Sequence, residues 1–278
     1  MSMTDTRPHS DRRVSTIFLV LLAVMAASGG ALWSGWGSAS ADDTATTGTR
    51  VGVFLFVVAG WLVSLCLHEY AHARTALHGG DISVGTKGYL TLNPLKYTHP
   101  VYSFIMPLVF IILGGIALPG GAVFIERGRI RGKWKHSLIS AAGPATNAAF
   151  ALVLLVVLWL APDPSTVGQA NFYSALGYLA LLQLMAAILN LLPVPGLDGY
   201  GIIEPWLSYQ NRRAFANIAP YGMIIVFMLL WNSSINNWFF NTVIQNVMSV
   251  FGQSWLYAQY GNYLFHFFSL NLGGVFGH

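Results

Sequence analysis

Charge is what this chain has least of. Only 9% of its 278 residues are Asp, Glu, Lys or Arg, against roughly a quarter in a soluble globular domain. An ordinary water-facing surface is therefore excluded. There is one cysteine, Cys66, so no intrachain disulfide can form. It stands two positions before His68, nearly the opposite face of a helix, and reads as packing. Sustained apolar–polar alternation is missing, which argues against a transmembrane β-barrel. Acidic residues number ten, so a site that needs carboxylates must draw on a short set. No internal repeat or low-complexity block is visible.

What is present is apolar residue in continuous runs. Several reach the roughly 20 residues needed to cross a bilayer, and the reading is an all-α polytopic membrane protein embedded in lipid. Spans are expected at about 14–33, 51–73, 137–160, 172–192 and 218–231. A last span or interfacial helix is expected between 243 and 268, for about six transmembrane helices. Residues 1–13 read as a cytoplasmic tail, 14–231 as the membrane domain and 232–278 as a C-terminal membrane or interfacial segment. Arg7, Arg12 and Arg13 precede the first run, and Arg127, Arg129, Arg131, Lys133 and Lys135 crowd one short segment. These are cytoplasmic anchors under the positive-inside rule, and no nucleic-acid partner is expected.

The run 101–118 contains Pro107 and Gly114-Gly115 and has basic flanks on both sides. It reads as an element that dips into the bilayer and returns; the other reading is a single crossing that inverts everything downstream. Ile82, Val84, Tyr89 and Leu90 around glycines suggest a small β-hairpin on the cytoplasmic side, and 120–125 suggests a further strand. Either edge could take up an added strand by β-addition.

The chemistry is concentrated in His68-Glu69-Tyr70-Ala71-His72, at the end of the apolar run 51–67. On a helix, residues four apart share one face, so both imidazoles can bind one zinc ion. Glu69 stands beside them, where a carboxylate can act as general base. Catalytic zinc takes three protein ligands. Asp198 follows a proline-interrupted helix, 190–199, and an ionisable residue at membrane depth is a functional candidate by default. Its bland reading is an Asp-Gly turn, and Glu204 is the rival ligand. Glu126, among arginines, reads as an ion-pair partner. His78, His99 and His136 read as surface residues and His266 as interfacial. Asn147, in Ala141-Ala142-Gly143-Pro144-Ala145-Thr146-Asn147, needs a polar partner in a membrane helix. It either ties two helices together or holds a substrate backbone.

His68–His72, the 141–147 segment and Asn190-Leu191-Leu192-Pro193-Val194-Pro195-Gly196-Leu197-Asp198-Gly199, in that order on successive spans, resemble the site-2 protease family of intramembrane zinc metalloproteases. Gly88–Leu95 looks like the compact bacterial members that lack PDZ and CBS domains. The resemblance covers about 51–215 and implies a three-helix catalytic core there. It implies Zn2+ held by His68, His72 and Asp198, and Glu69 as general base. Asn147 and Asn190 would meet the substrate, a transmembrane protein cut during regulated intramembrane proteolysis. The implied location is a bacterial plasma membrane, with the active site toward the cytoplasm. Tyr200 follows Asp198-Gly199 where many relatives have a second glycine. A non-proteolytic metal-binding scaffold or transporter is the alternative on the same spans. Substrate identity, trigger and oligomeric state are not legible.

Overall fold

The computed structural model describes residues 14–38, 45–97 and 123–266. Four helices in it are long and apolar enough to cross a membrane: α1 (Thr16–Trp33), α2 (Thr47–Gly79), α3 (Lys133–Leu160) and α4 (Val167–Asn190). Three start where a hydroxyl takes up a free backbone donor: Ser15 accepts from Ile17, Thr46 from Thr49 and Thr166 from Gln169. α2 stops at Gly80, whose φ of 122° suits glycine and whose N–H donates back to Ala76 and Leu77.

α4 is the centre of the bundle. Its most apolar stretch is 89% buried, against 22% for α1, so α4 faces protein and α1 faces outward. α2, α3 and α4 pack on one another, and α1 lies along α2. A short loop then leads to α5 (Asp198–Ile203), α6 (Tyr209–Ala216) and α7 (Gly222–Trp231). After a π-helical segment at Trp238–Ile244, α8 (Ser254–Phe265) returns to cover α4. That contact is backbone to backbone: a β-carbon at Gly261 would lie 2.0 Å from the Ser174 carbonyl oxygen. Arg50, a basic residue near the start of α2, places its guanidinium 4.7 Å over the Tyr263 ring of α8.

Three expectations change. The described residues carry four candidate spans, or five if the bent pair Tyr209–Ala216 and Ala219–Trp231 is one span, rather than six. The expected span at 218–231 is shortened by the turn at Pro220. The 243–268 segment is divided at Gly252 (φ 70°), leaving twelve helical residues in α8. No strand is present among the described residues, so the hairpin at 82–90 is not formed. Those residues make a helical turn, Ser83–Thr86, and a 3-10 turn, Tyr89–Thr91. Two causes are local. Asp81 accepts from the Ser83 N–H and hydroxyl, which starts a helical turn, and Gly88 with Leu92 turns left-handed (φ 75° and 56°). At the expected strand near 120–125, the described residues 123–126 have no regular secondary structure. The 101–118 element and His99 lie outside the described residues.

Candidate metal centre

α2 has 33 residues, about 50 Å at 1.5 Å per residue, well beyond the ~30 Å hydrocarbon layer. His68 and His72 sit about two-thirds of the way along it or just beyond. Both are buried, as is Glu69 between them. The imidazole Nε2 atoms lie 3.0 Å apart. α4 ends at Asn190, and Pro193 and Pro195 prevent it from continuing. The chain doubles back so that α5 begins at Asp198, whose oxygens lie 3.2 Å from His68 Nε2 and 3.4 Å from His72 Nε2. The turn is tight: a β-carbon at Gly199 would meet the Leu191 carbonyl oxygen at 2.2 Å.

The other ring nitrogens decide what this cluster can hold. His72 Nδ1 faces the Ile139 carbonyl oxygen at 2.6 Å, and a carbonyl can only accept, so Nδ1 carries the proton. His68 Nδ1 faces Asn147 Oδ1. Both Nε2 lone pairs and the Asp198 carboxylate therefore converge on one point, and three acceptors together call for a cation. Two imidazoles and a carboxylate, with ligand atoms within 4.8 Å of one another, are a donor set suited to catalytic zinc.

Space for an ion is left by a glycine. A β-carbon at Gly143 of α3 would stand 2.2 Å from His72 Nε2 and 2.5 Å from His68 Nε2. The absent side chain is what keeps the ligand atoms open.

Around the cluster lies a cavity of about 1190 Å³, lined by Glu69, Asn190, Leu197, Tyr200 and Arg212 among others. Residues 123–126 form one wall. This strap is pinned at three points: the Val123 N–H donates to Glu69 Oε2 (3.1 Å), the Glu126 N–H to Asp81 Oδ2 (2.7 Å), and Lys87 Nζ to the Phe124 carbonyl (3.3 Å). Glu126 pairs with Arg129 and Lys87, as its surroundings in sequence suggest. Those cations, Arg129 above all, bring its carboxyl down to about 2.

Other candidates fall out plainly. Glu204 pairs with Arg127 and is outside the His68–His72–Asp198 cluster. Cys66 is fully buried and packs with Phe18 and Val63. His78 and His136 bond the Arg74 and Ile130 carbonyls, and His266 bonds the Asn262 carbonyl. Asn190 lines the cavity. Asn147 does not: its amide faces His68, Ser64 and Gln183, behind the metal-binding face. Asp81, Ser64, Gly143 and Gln183 were not picked out from the sequence. A lone amide in mid-span was the available signal for Gln183.

The chain resembles named proteins over most of its length. It is 48% identical over 231 residues to "Putative zinc metalloprotease Rip2" of Mycolicibacterium smegmatis, covering 83% of this chain and 85% of the relative. The Mycobacterium tuberculosis H37Rv protein of the same name is 40% identical, covering 96% and 99%. "Putative zinc metalloprotease YwhC" of Bacillus subtilis is 32% identical over 63% of this chain. No family model and no solved structure matches.

Proposed function

The chain belongs to the site-2 protease family and is a zinc metalloprotease with several membrane-spanning helices; on that premise we propose that it hydrolyses peptide bonds within the transmembrane segments of other membrane proteins. The observation that carries this reading is the convergence of His68 Nε2, His72 Nε2 and the Asp198 carboxylate beside Glu69, at the end of an apolar helix. His68, His72 and Asp198 hold the ion. When bound, zinc supplies a Lewis acid that polarises a carbonyl and lowers the pKa of water.

The chain's own groups do the rest. Glu69 takes the proton of the attacking water and passes it to the leaving amine. The Val123 N–H fixes which Glu69 oxygen stays free for that work. Asn190, at the cavity wall, is the amide placed to hold a substrate backbone, whereas Asn147 acts on His68. The cavity exceeds the roughly 300–1,000 Å³ of small-molecule sites and admits a stretch of unwound peptide. Unwinding is required, because each amide of a helix is already hydrogen-bonded and covered. The basic segment 127–135 follows the strap, which supports a site opening toward the cytoplasm in a bacterial plasma membrane.

The test is cleavage of a panel of single-span membrane proteins by detergent-purified protein, wild type beside Glu69→Gln, with zinc quantified in both. Cleavage by wild type alone with equal zinc in both is the expected result. Absence of zinc from the wild type after metal-replete purification overturns the reading.

A further inference from the structure

Gln183 sits in the middle of α4 and is wholly buried. A primary amide inside a membrane bundle is costly unless its polar atoms are used. Only half of this one is. Gln183 Oε1 accepts from Asn147 Nδ2 at 2.8 Å and from the Ser64 hydroxyl. Gln183 Nε2 is buried and has no hydrogen-bond partner among the described residues. Methionine would fill much the same space without stranding a donor, so the reason for an amide here lies in its oxygen.

That oxygen ends a chain of one-way hydrogen bonds. His68 can offer Nε2 to an ion only if its proton is on Nδ1. A protonated Nδ1 needs an acceptor, so Asn147 must present Oδ1 to it. Asn147 Nδ2 then points the other way, with one hydrogen toward Gln183 Oε1 and one toward Ser64 Oγ at 3.1 Å. Ser64 accepts that bond and donates its own proton to Gln183 Oε1. Reversing Gln183 would set its NH2 against the Asn147 NH2 and forfeit these bonds. Reversing Asn147 would set an NH2 against His68 Nδ1, forcing the proton of His68 to Nε2. α2, α3 and α4 each contribute to the network, and all four of its side chains are buried.

We propose that Gln183, with Ser64, is a positioning residue for the metal centre: through Asn147 it fixes the tautomer and orientation of His68. The proposal rests on zinc binding at His68, His72 and Asp198. The wild-type affinity tests that reading by itself, and the comparison of variants tests this one. Partners behind a metal-ligating imidazole typically change metal affinity by about 10–100-fold.

The experiment is zinc competition between a chromophoric chelator and four purified proteins: wild type, Gln183→Met, Asn147→Asp, and the double variant. Helix content and elution volume are checked for each. Gln183→Met weakens zinc binding by about 10–100-fold, because Asn147 loses the oxygen that orients it. Asp at 147 accepts with either oxygen and needs no orienting. In that background Gln183→Met changes the affinity by less than about 3-fold, a difference small beside the shift just given. An equal loss in both backgrounds, an unchanged affinity in the single variant, or failure of both Met variants to fold would each reduce Gln183 to packing and overturn the proposal.

Discussion

Replacing Gly143 by alanine challenges the proposed metal centre without replacing any of its ligands. The new β-carbon would lie 2.2 Å from His72 Nε2, 2.5 Å from His68 Nε2 and 2.6 Å from His68 Cε1, where real contacts essentially never fall below 3.0 Å. Something must retreat by about 0.8 Å, and a misplacement near 1 Å at a reacting centre costs on the order of 10²-fold. Neither ring can turn cheaply, since His72 Nδ1 is held by the Ile139 carbonyl and His68 Nδ1 by Asn147. A ligating nitrogen sits about 2.0–2.1 Å from zinc, so the methyl also competes for the ion's volume. Alanine is the better helix former by roughly 0.8–1.0 kcal/mol, so α3 itself is not weakened. The expected outcome is normal helix content, zinc well below one ion per chain after desalting, and a fall of at least ~100-fold in kcat/KM. Stoichiometric zinc with wild-type cleavage would refute the claim that the missing side chain makes room for the ion.

Asp81 is fully buried and accepts from the Ser83 N–H, the Ser83 hydroxyl and the Glu126 N–H. Asp81→Ala should cost roughly 1–3 kcal/mol per donor left buried and unpaired, seen as a lower thermal midpoint with zinc retained; an unchanged midpoint counts against the anchoring role. Gly261→Val should separate α8 from α4, because even a β-carbon meets the Ser174 carbonyl oxygen at 2.0 Å; a melt matching wild type shows that α8 is not docked there. Glu126 ionises lower in the folded protein, at about 2 against 4.5. Its pairs with Arg129 and Lys87 therefore stabilise fully above pH 4.5, and that contribution is lost as pH falls through about 2. Melts of wild type and Glu126→Gln should differ most near neutrality and converge toward pH 2; a gap that widens on acidification contradicts the sign.

The membrane class, the presence of the four long helices and the ligand spacing were legible in sequence because each depends on local pattern, although α2 runs on from the expected 73 to Gly79 and α4 starts at Val167 rather than 172. Continuous apolar runs set the spans. An i, i+4 repeat puts His68 and His72 on one face, and Pro193 and Pro195 stop α4 before Asp198. The turns at 82–97 were misread as strands because Ile82, Val84 and Tyr89 suit either state, and the choice fell to the Asp81 cap and the left-handed pair Gly88 and Leu92. A sixth span is not confirmed among the described residues, where Pro220 and Gly252 cut apolar stretches that composition alone joins. Tertiary structure alone decided the rest. Which acid joins the histidines depends on how a loop folds back across three helices, and it selects Asp198 over Glu204. The role of Asn147 depends on which way its amide points, and that is set by Gln183, 36 residues away in sequence. Gly143 matters for the side chain it lacks, opposite rings on another helix. Periodicity fixes what lies along one helix, but only packing brings the faces of different helices within hydrogen-bond reach.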